Sequence, residues 1–303
     1  MTAHGRLKEI RQALLRIAKD NNIIFDLILL RYTQERFLYR LSISRFNEGF
    51  VLKGGLLLYS LSKFEARPTR DIDFLAQQIS NDIETIKTVF IEICSIKLDD
   101  EVVFDIDSIV VESIIEEDKY SGVRVRVIGY LGESRQTLKI DIGFSDIVVP
   151  KASYIEYPVL LDMESPNIKT YSIESVIAEK FEAAVSLSLA NSRMKDFYDI
   201  NDLLGKYSFD GAILRDAVFQ TFQKRGTIIE KDNIIFSDNF VGDQWINKLW
   251  TSFQNKIGNN SITFDTVMKN IKAFLEPIYN SILKENDFFG RWDNTEKKWN
   301  KLS

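Results

Sequence analysis

RPTRDIDF, residues Arg67 to Phe74, sets two carboxylates inside the alternation of a β-strand. Side chains on a strand alternate between faces, so Asp71 and Asp73 point one way while Ile72 and Phe74 point the other, toward a core. Two like charges this close repel, which raises the pKa of at least one unless a cation binds. A magnesium ion resolves that repulsion, because it takes oxygen ligands and fills its remaining positions with water and substrate phosphates. Taken alone, Asp-x-Asp fits the exposed acidic end of an ordinary strand equally well.

The stretch before it narrows the reading. In LKGGLLLY, Gly54 and Gly55 fall where a short apolar strand, Phe50 to Leu52, hands over to a helix-like run, with Lys53 beside them. Bare backbone N–H groups at a helix start cradle phosphate, and a tight turn that needs glycine for its φ angles gives the same pattern. A third acid comes from LKIDIGF, where Ile140 and Ile142 are expected inside, leaving Asp141 with Lys139 on the other face. Asp141 is then either a surface aspartate or the further carboxylate that metal-assisted phosphoryl transfer uses to hold an ion and take a proton. VFDIDS repeats the spacing with Asp105 and Asp107, but it lacks a preceding glycine turn and lies in an acidic run, as expected of a solvated edge. Further on, Asp196, Asp199 and Asp202 recur at three-residue steps on one helix face, and Lys180 precedes them on AEKF. A hairpin of the two helices brings lysine and aspartates together, as an ordinary interhelical salt bridge or as part of a site.

Around these motifs the chain reads as α+β. Helical spacing opens it (Ile10, Leu14, Ile17, then Leu27, Leu30, Phe37, Leu41), with KDNN between two helices. A further helix follows RDIDFLA, capped by Ser80 or Asn81, and three β-rich stretches come next: SIVVESII, GVRVRVIGYL and QTLKIDIGF. From residue 167 on the pattern is mostly helical, giving an expected core at 1–166 and a helical lobe at 167–303. With 303 residues of which 45% are hydrophobic, the chain can fill two cores. One cysteine and one histidine, His4, exclude disulfides, thiolate metal sites and Ser/His/Asp or Cys/His catalysis. Apolar runs fall short of the ~20 residues of a membrane helix and the N-terminus lacks a signal-peptide core, so a cytoplasmic protein is expected. The net charge of −5 is uneven: residues 1–70 hold 13 Lys and Arg against 6 Asp and Glu, whereas residues 71–168 hold 8 against 20. The basic N-terminal helices and the tail with Trp292, Lys297, Lys298 and Trp299 are expected either to bind RNA or to form solvated faces.

In that order, KGGLLLYSLSKFEARPTRDIDF, LKIDIGF, IESVIAEKFEA and RMKDFYDI resemble the AbiEii/AbiGii toxin family of nucleotidyltransferases, over roughly residues 50–205. This family belongs to the polymerase-β-like superfamily and includes toxins of type IV toxin–antitoxin phage-defence pairs. The resemblance implies a mixed-sheet nucleotidyltransferase core with a helical C-terminal lobe. It implies Mg²⁺, as one or two ions, on Asp71, Asp73 and Asp141, with Asp141 as general base. Gly54 and Gly55 would cradle the triphosphate of an NTP, Lys180 would meet phosphate or stabilise the transition state, and Asp196 and Asp199 would shape the nucleotide or acceptor pocket. The wider superfamily has Gly-Ser where this chain has Gly54-Gly55, so a hydroxyl contact is absent. Of the flanking arginines, Arg70 is expected on the face opposite Asp71, suited to packing or an ion pair, whereas Arg67 on the loop is placed to reach phosphate.

The reading that follows is a Mg²⁺-dependent enzyme that moves NMP from an NTP to a hydroxyl, with the tRNA 3′ end as acceptor and an antitoxin encoded next door. Two others stand beside it: a non-catalytic nucleotide-binding regulator working through a protein partner, and nucleotidylation of a protein hydroxyl.

Overall fold

The computed structural model describes residues 3–62, 67–116, 120–259 and 261–301. Lys63 and Phe64, at the end of the helix-like run, and the side chain of His4 lie outside the described residues. The chain divides into two compact units, residues 1–145 with 152–171, and residues 146–151 with 172–303.

The first unit runs α1 (Ala3–Asp20), α2 (Phe25–Ser42), β1 (Phe50–Lys53), α3 (Gly54–Ser62), β2 (Asp71–Ala76), α4 (Ile83–Cys94), β3 (Val102–Glu116), β4 (Tyr120–Leu131), β5 (Ser134–Gly143), β6 (Ser153–Glu156) and β7 (Asn167–Thr170). Its seven strands form one mixed sheet in the order β3-β4-β5-β2-β1-β7-β6. β2 is parallel to β5 and β1 to β7, while the other pairs are antiparallel. The expected α+β fold with a mixed sheet is therefore present. The three predicted β-rich stretches are all strands, and β3 extends back through the acidic run. There Asp105 marks a break in register and its Oδ1 accepts from the Asp107 N–H, so the second Asp-x-Asp builds a bulge.

One face of the sheet is apolar. Leu52, Phe74, Ile142 and Val123 pair in register across β1, β2, β5 and β4, and none is more than 2% exposed. Phe50 and Phe74 meet Phe90 of α4 and Phe37 of α2 in one aromatic cluster. Asp82, rather than Ser80 or Asn81, caps α4 through the Thr85 N–H. α2 is buried almost all round, arginines included: Arg31, Arg36 and Arg40 are at most 5% exposed. They are thus not available as a nucleic-acid surface, and the basic face that remains is α1, with Lys8, Arg11, Arg16 and Lys19 exposed. Arg40 forks onto the buried Asp100 at 2.7 and 3.1 Å and donates to the carbonyls of Ile96 and Val102.

The second unit holds α5 (Ile173–Leu187), α6 (Met194–Lys206), α7 (Gly211–Arg225), α8 (Asp238–Val241), α9 (Gln244–Ile257), α10 (Phe264–Leu283) and a hairpin of β8 (Gly290–Asp293) and β9 (Lys298–Lys301). Its core is aromatic, with Phe181 and Tyr279 in contact with each other and each with Phe222 and Phe236. The tail expected to stack on bases does the opposite with its tryptophans. Trp292 is fully buried and donates to the Leu204 carbonyl, while Trp299 stacks on Phe274 at 5.5 Å. An indole with one donor satisfies it and buries the rest, which gains more here than exposure to solvent. Arg225 gathers Asp146, Glu179 and Glu182, which ties residues 146–151 into this unit. Among the described residues no helix is long and apolar enough to cross a membrane.

Removing one partner of a buried ion pair strands the other. Arg40→Met is expected to lower the unfolding free energy by about 3–5 kcal/mol in urea titration; a loss under about 1 kcal/mol would show that Asp100 finds solvent without it.

Candidate active site

The handover from β1 to α3 has a steric cause. Gly54 has φ +67°, in the left-handed region, and a Cβ there would lie 2.0 Å from Oδ2 of Asp73. A Cβ on Gly55 would lie 2.6 Å from Oγ1 of Thr69. The diglycine thus lets Asp73 and Thr69 lie against the first turn of α3, whose backbone dipole favours negative charge. Lys53, the last residue of β1, carries its ammonium 5.3 Å from the Tyr171 ring centroid.

Strand register assembles the rest. Lys53 pairs with Asp73, Asp73 with Asp141, Asp141 with Arg124, and Arg124 with Glu112. Residues opposed in a ladder point to the same face with Cβ atoms about 5 Å apart, so one row of charged side chains crosses five strands, with two acids adjacent at its middle. The next row sets Asp71 against Lys139 and Lys139 against Arg126. Asp71, Asp73 and Asp141 are thereby neighbours on the open face. Arg67 lies half-buried ahead of β2, and Arg70 pairs with Asp26.

Cations hold these acids. Arg124 takes Asp141 in a fork, Nε to Oδ1 at 2.7 Å and Nη2 to Oδ2 at 2.9 Å. Those hydrogen bonds raise the guanidinium pKa above its ordinary value. Lys139 Nζ stands between Oδ2 of Asp71 at 3.2 Å and Oδ2 of Asp141 at 3.6 Å. Among the described residues no group of three or more His, Cys, Asp or Glu is gathered to hold a metal ion as the side chains lie. The donor set nevertheless suits a hard cation: it consists of carboxylate oxygens, and an ammonium already occupies the space between two of them. Arg124 and Arg126 were not singled out from the sequence, although the V-R-V-R-V alternation of β4 announces a cationic face opposite a buried one.

In the second unit Lys180, 8% exposed, bonds Asp196 at 2.7 Å and Asp199 at 2.8 Å. Arg193 also reaches Asp196, at 2.6 Å. Burial pushes the Asp196 carboxyl up, but Lys180 and Arg193 outweigh it and hold the pKa down at about 2. Asp202 pairs instead with Lys206 on its own helix.

A carboxyl whose folded pKa is depressed contributes stability that is present above its unfolded pKa and lost as pH falls toward the folded one. From 3.8 down to about 2, Asp196 should lose about 2 kcal/mol of stabilisation, and Asp196→Asn should show a correspondingly flatter loss in urea titrations across that window. An unchanged slope in the variant would remove Asp196 from the account. Gly54→Ala forces an L side chain into a left-handed backbone and against Asp73; Tm should fall by about 2–4 °C and turnover at this site by about a hundredfold. A variant with full activity would mean that Asp73 need not lie against α3.

Two solved structures align with 86% of the chain. One is JHP933 from Helicobacter pylori, with 94% of that chain covered, 16% identity and a TM-score of 0.44. The other is a candidate nucleotidyltransferase from H. pylori, with 98% covered, 16% identity and a TM-score of 0.45. No curated protein matches in sequence. The family model described as the nucleotidyl transferase AbiEii toxin of type IV toxin–antitoxin systems matches residues 36–270. The chain therefore belongs to the AbiEii nucleotidyl transferase toxin family, and it is a nucleotidyltransferase.

Proposed function

We propose that this enzyme transfers NMP from an NTP to the 3′-terminal hydroxyl of an RNA, with tRNA as acceptor, and that Asp71, Asp73 and Asp141 hold magnesium. The observation that carries the reading is the register-matched row Lys53, Asp73, Asp141, laid beside the glycine start of α3. When bound, the metal would neutralise the triphosphate and polarise the phosphoryl group.

The chain's own residues account for the remainder. Lys53 and the bare backbone of Gly54 and Gly55 receive the negative charge of the triphosphate. Arg67, half-buried ahead of β2, is assigned to phosphate as well. Asp141 accepts the proton of the attacking hydroxyl through one of its oxygen lone pairs. The hydroxyl oxygen bonds to the α-phosphorus, the bond from that phosphorus to the bridging oxygen breaks, and pyrophosphate leaves with the electron pair. Lys180 is assigned to phosphate, and Asp196 and Asp199 to orienting it, a role supported by their double hold on one ammonium. The exposed basic face of α1 supports an RNA acceptor. Activity of this kind, checked by a partner antitoxin, would serve growth control or phage defence.

The test is incubation with each α-labelled NTP, magnesium and total cellular RNA, beside Asp71→Asn and Asp73→Asn. Label should move onto a tRNA-sized band and fall at least about a hundredfold in either variant. Label on protein instead would overturn the RNA acceptor, and measurable NTP binding with no labelled product would favour the regulator.

A further inference from the structure

The acids are flanked by cations on both sides, and only one side is explained by the triphosphate. Toward β1 lie Lys53 and the start of α3; toward β4 lie Arg124, Arg126 and Lys139. The latter three are neighbours by register, Arg124 opposite Asp141 and Arg126 opposite Lys139. Their side chains are 25%, 40% and 32% exposed, which leaves them open to a ligand. Their present partners are Asp141, Glu112 and Asp71. Two of those partners are the acids assigned above to magnesium. A divalent ion held by Asp71 and Asp141 would weaken their hold on Lys139 and Arg124 and would leave three adjacent cations with Glu112 as the remaining acid of this group, a repulsive arrangement that an anion would relieve.

Stereochemistry says which anion. In phosphoryl transfer the attacking and leaving oxygens stand roughly in line on opposite sides of the phosphorus. With pyrophosphate leaving on the β1 side, the attacking hydroxyl enters from the β4 side. Resting on the transferase reading above, we infer that Arg124, Arg126 and Lys139 form an acceptor subsite that binds the phosphodiester next to the attacking hydroxyl. The subsite selects a nucleic-acid end, because a protein Ser, Thr or Tyr carries no anion at a fixed distance from its hydroxyl. Arg124 is suited to the exchange, since its fork matches a phosphate as well as a carboxylate. With Asp141 turned to a metal, the Arg124 fork would pass to a phosphate oxygen.

The experiment uses the full chain, magnesium, a non-hydrolysable α,β-methylene NTP analogue and a short 5′-fluorescent single-stranded RNA with a free 3′ hydroxyl. RNA binding is read by anisotropy over a salt series, and analogue binding by calorimetry. Arg126→Gln is the main variant, because its half-exposed pair with Glu112 contributes little to folding; Arg124→Gln is the second. Each variant should bind the RNA about tenfold more weakly and reduce the log–log salt slope by about 0.7, the loss of one phosphate contact on a single strand. In Arg126→Gln, whose partner is Glu112 rather than one of the three acids, analogue affinity should change by less than about twofold. Unchanged RNA affinity, or an equal loss for RNA and analogue, would overturn the subsite. So would a wild-type protein that binds the analogue but not the RNA, with the transferase reading left standing. Failure of the wild type to bind even the analogue would sink that reading and this one together.

Discussion

The register between β2 and β5 is the constraint on which the rest depends. Side chains on these strands have a period of two, so a slip of one residue would carry Asp73 and Asp141 into the apolar interior and Phe74 and Ile142 out of it. Ile72, Ile140 and Val125, all fully buried, make that slip costly, at about 2 kcal/mol for each large side chain exposed. The hydrophobic face therefore positions the charged one. No interaction among the carboxylates themselves favours their meeting, since like charges repel; the packing behind them holds them together.

What balances the acids differs between the two units, and exposure explains the difference. In the sheet, Asp71, Asp141, Lys139 and Arg124 retain between 12% and 43% of their side-chain surface. Pairs that open to water are weakly held, because each partner separates into solvent at little cost. Asp196 and Asp199 are at most 2% exposed by side chain and share one lysine. There the desolvation already incurred makes separation expensive, so the lysine is kept in one place. The Arg40–Asp100 pair is of the second kind and joins α2 to the entry of β3. One set of pairs is cheap to separate and the other is not.

The departures from the sequence reading share a cause. Arg31, Arg36 and Arg40 look like a basic helix face, and Trp292 and Trp299 like a stacking tail, because each is judged by its own polarity. Inside the fold, α2 is enclosed by α1, α4 and the sheet, so Arg36 and Arg40 spend donors on carbonyls and on Asp100, and Arg31 lies over the Tyr59 ring. The tail returns as a hairpin, and its indoles find the Leu204 and Phe274 carbonyls. Polar atoms with satisfied hydrogen bonds can be buried, and no local pattern reveals where the acceptors are.

Local periodicity determined what lies within a few residues: that Asp71 and Asp73 share a face, that Asp141 opposes Ile140 and Ile142, that Gly54 and Gly55 begin a helix, and that Lys180 and Asp196 lie on successive helices. These follow from the 2.0 and 3.6 repeats, which any short window contains. Tertiary structure alone decided that β5 lies beside β2, bringing Lys139 against Asp71 across 68 residues of chain. It also decided that Asp73 fills the space a Gly54 side chain would need, and that Arg124 commits itself to Asp141. Strand order and register arise from burying many side chains at once, a sum over the whole sheet that no single stretch of the sequence contains.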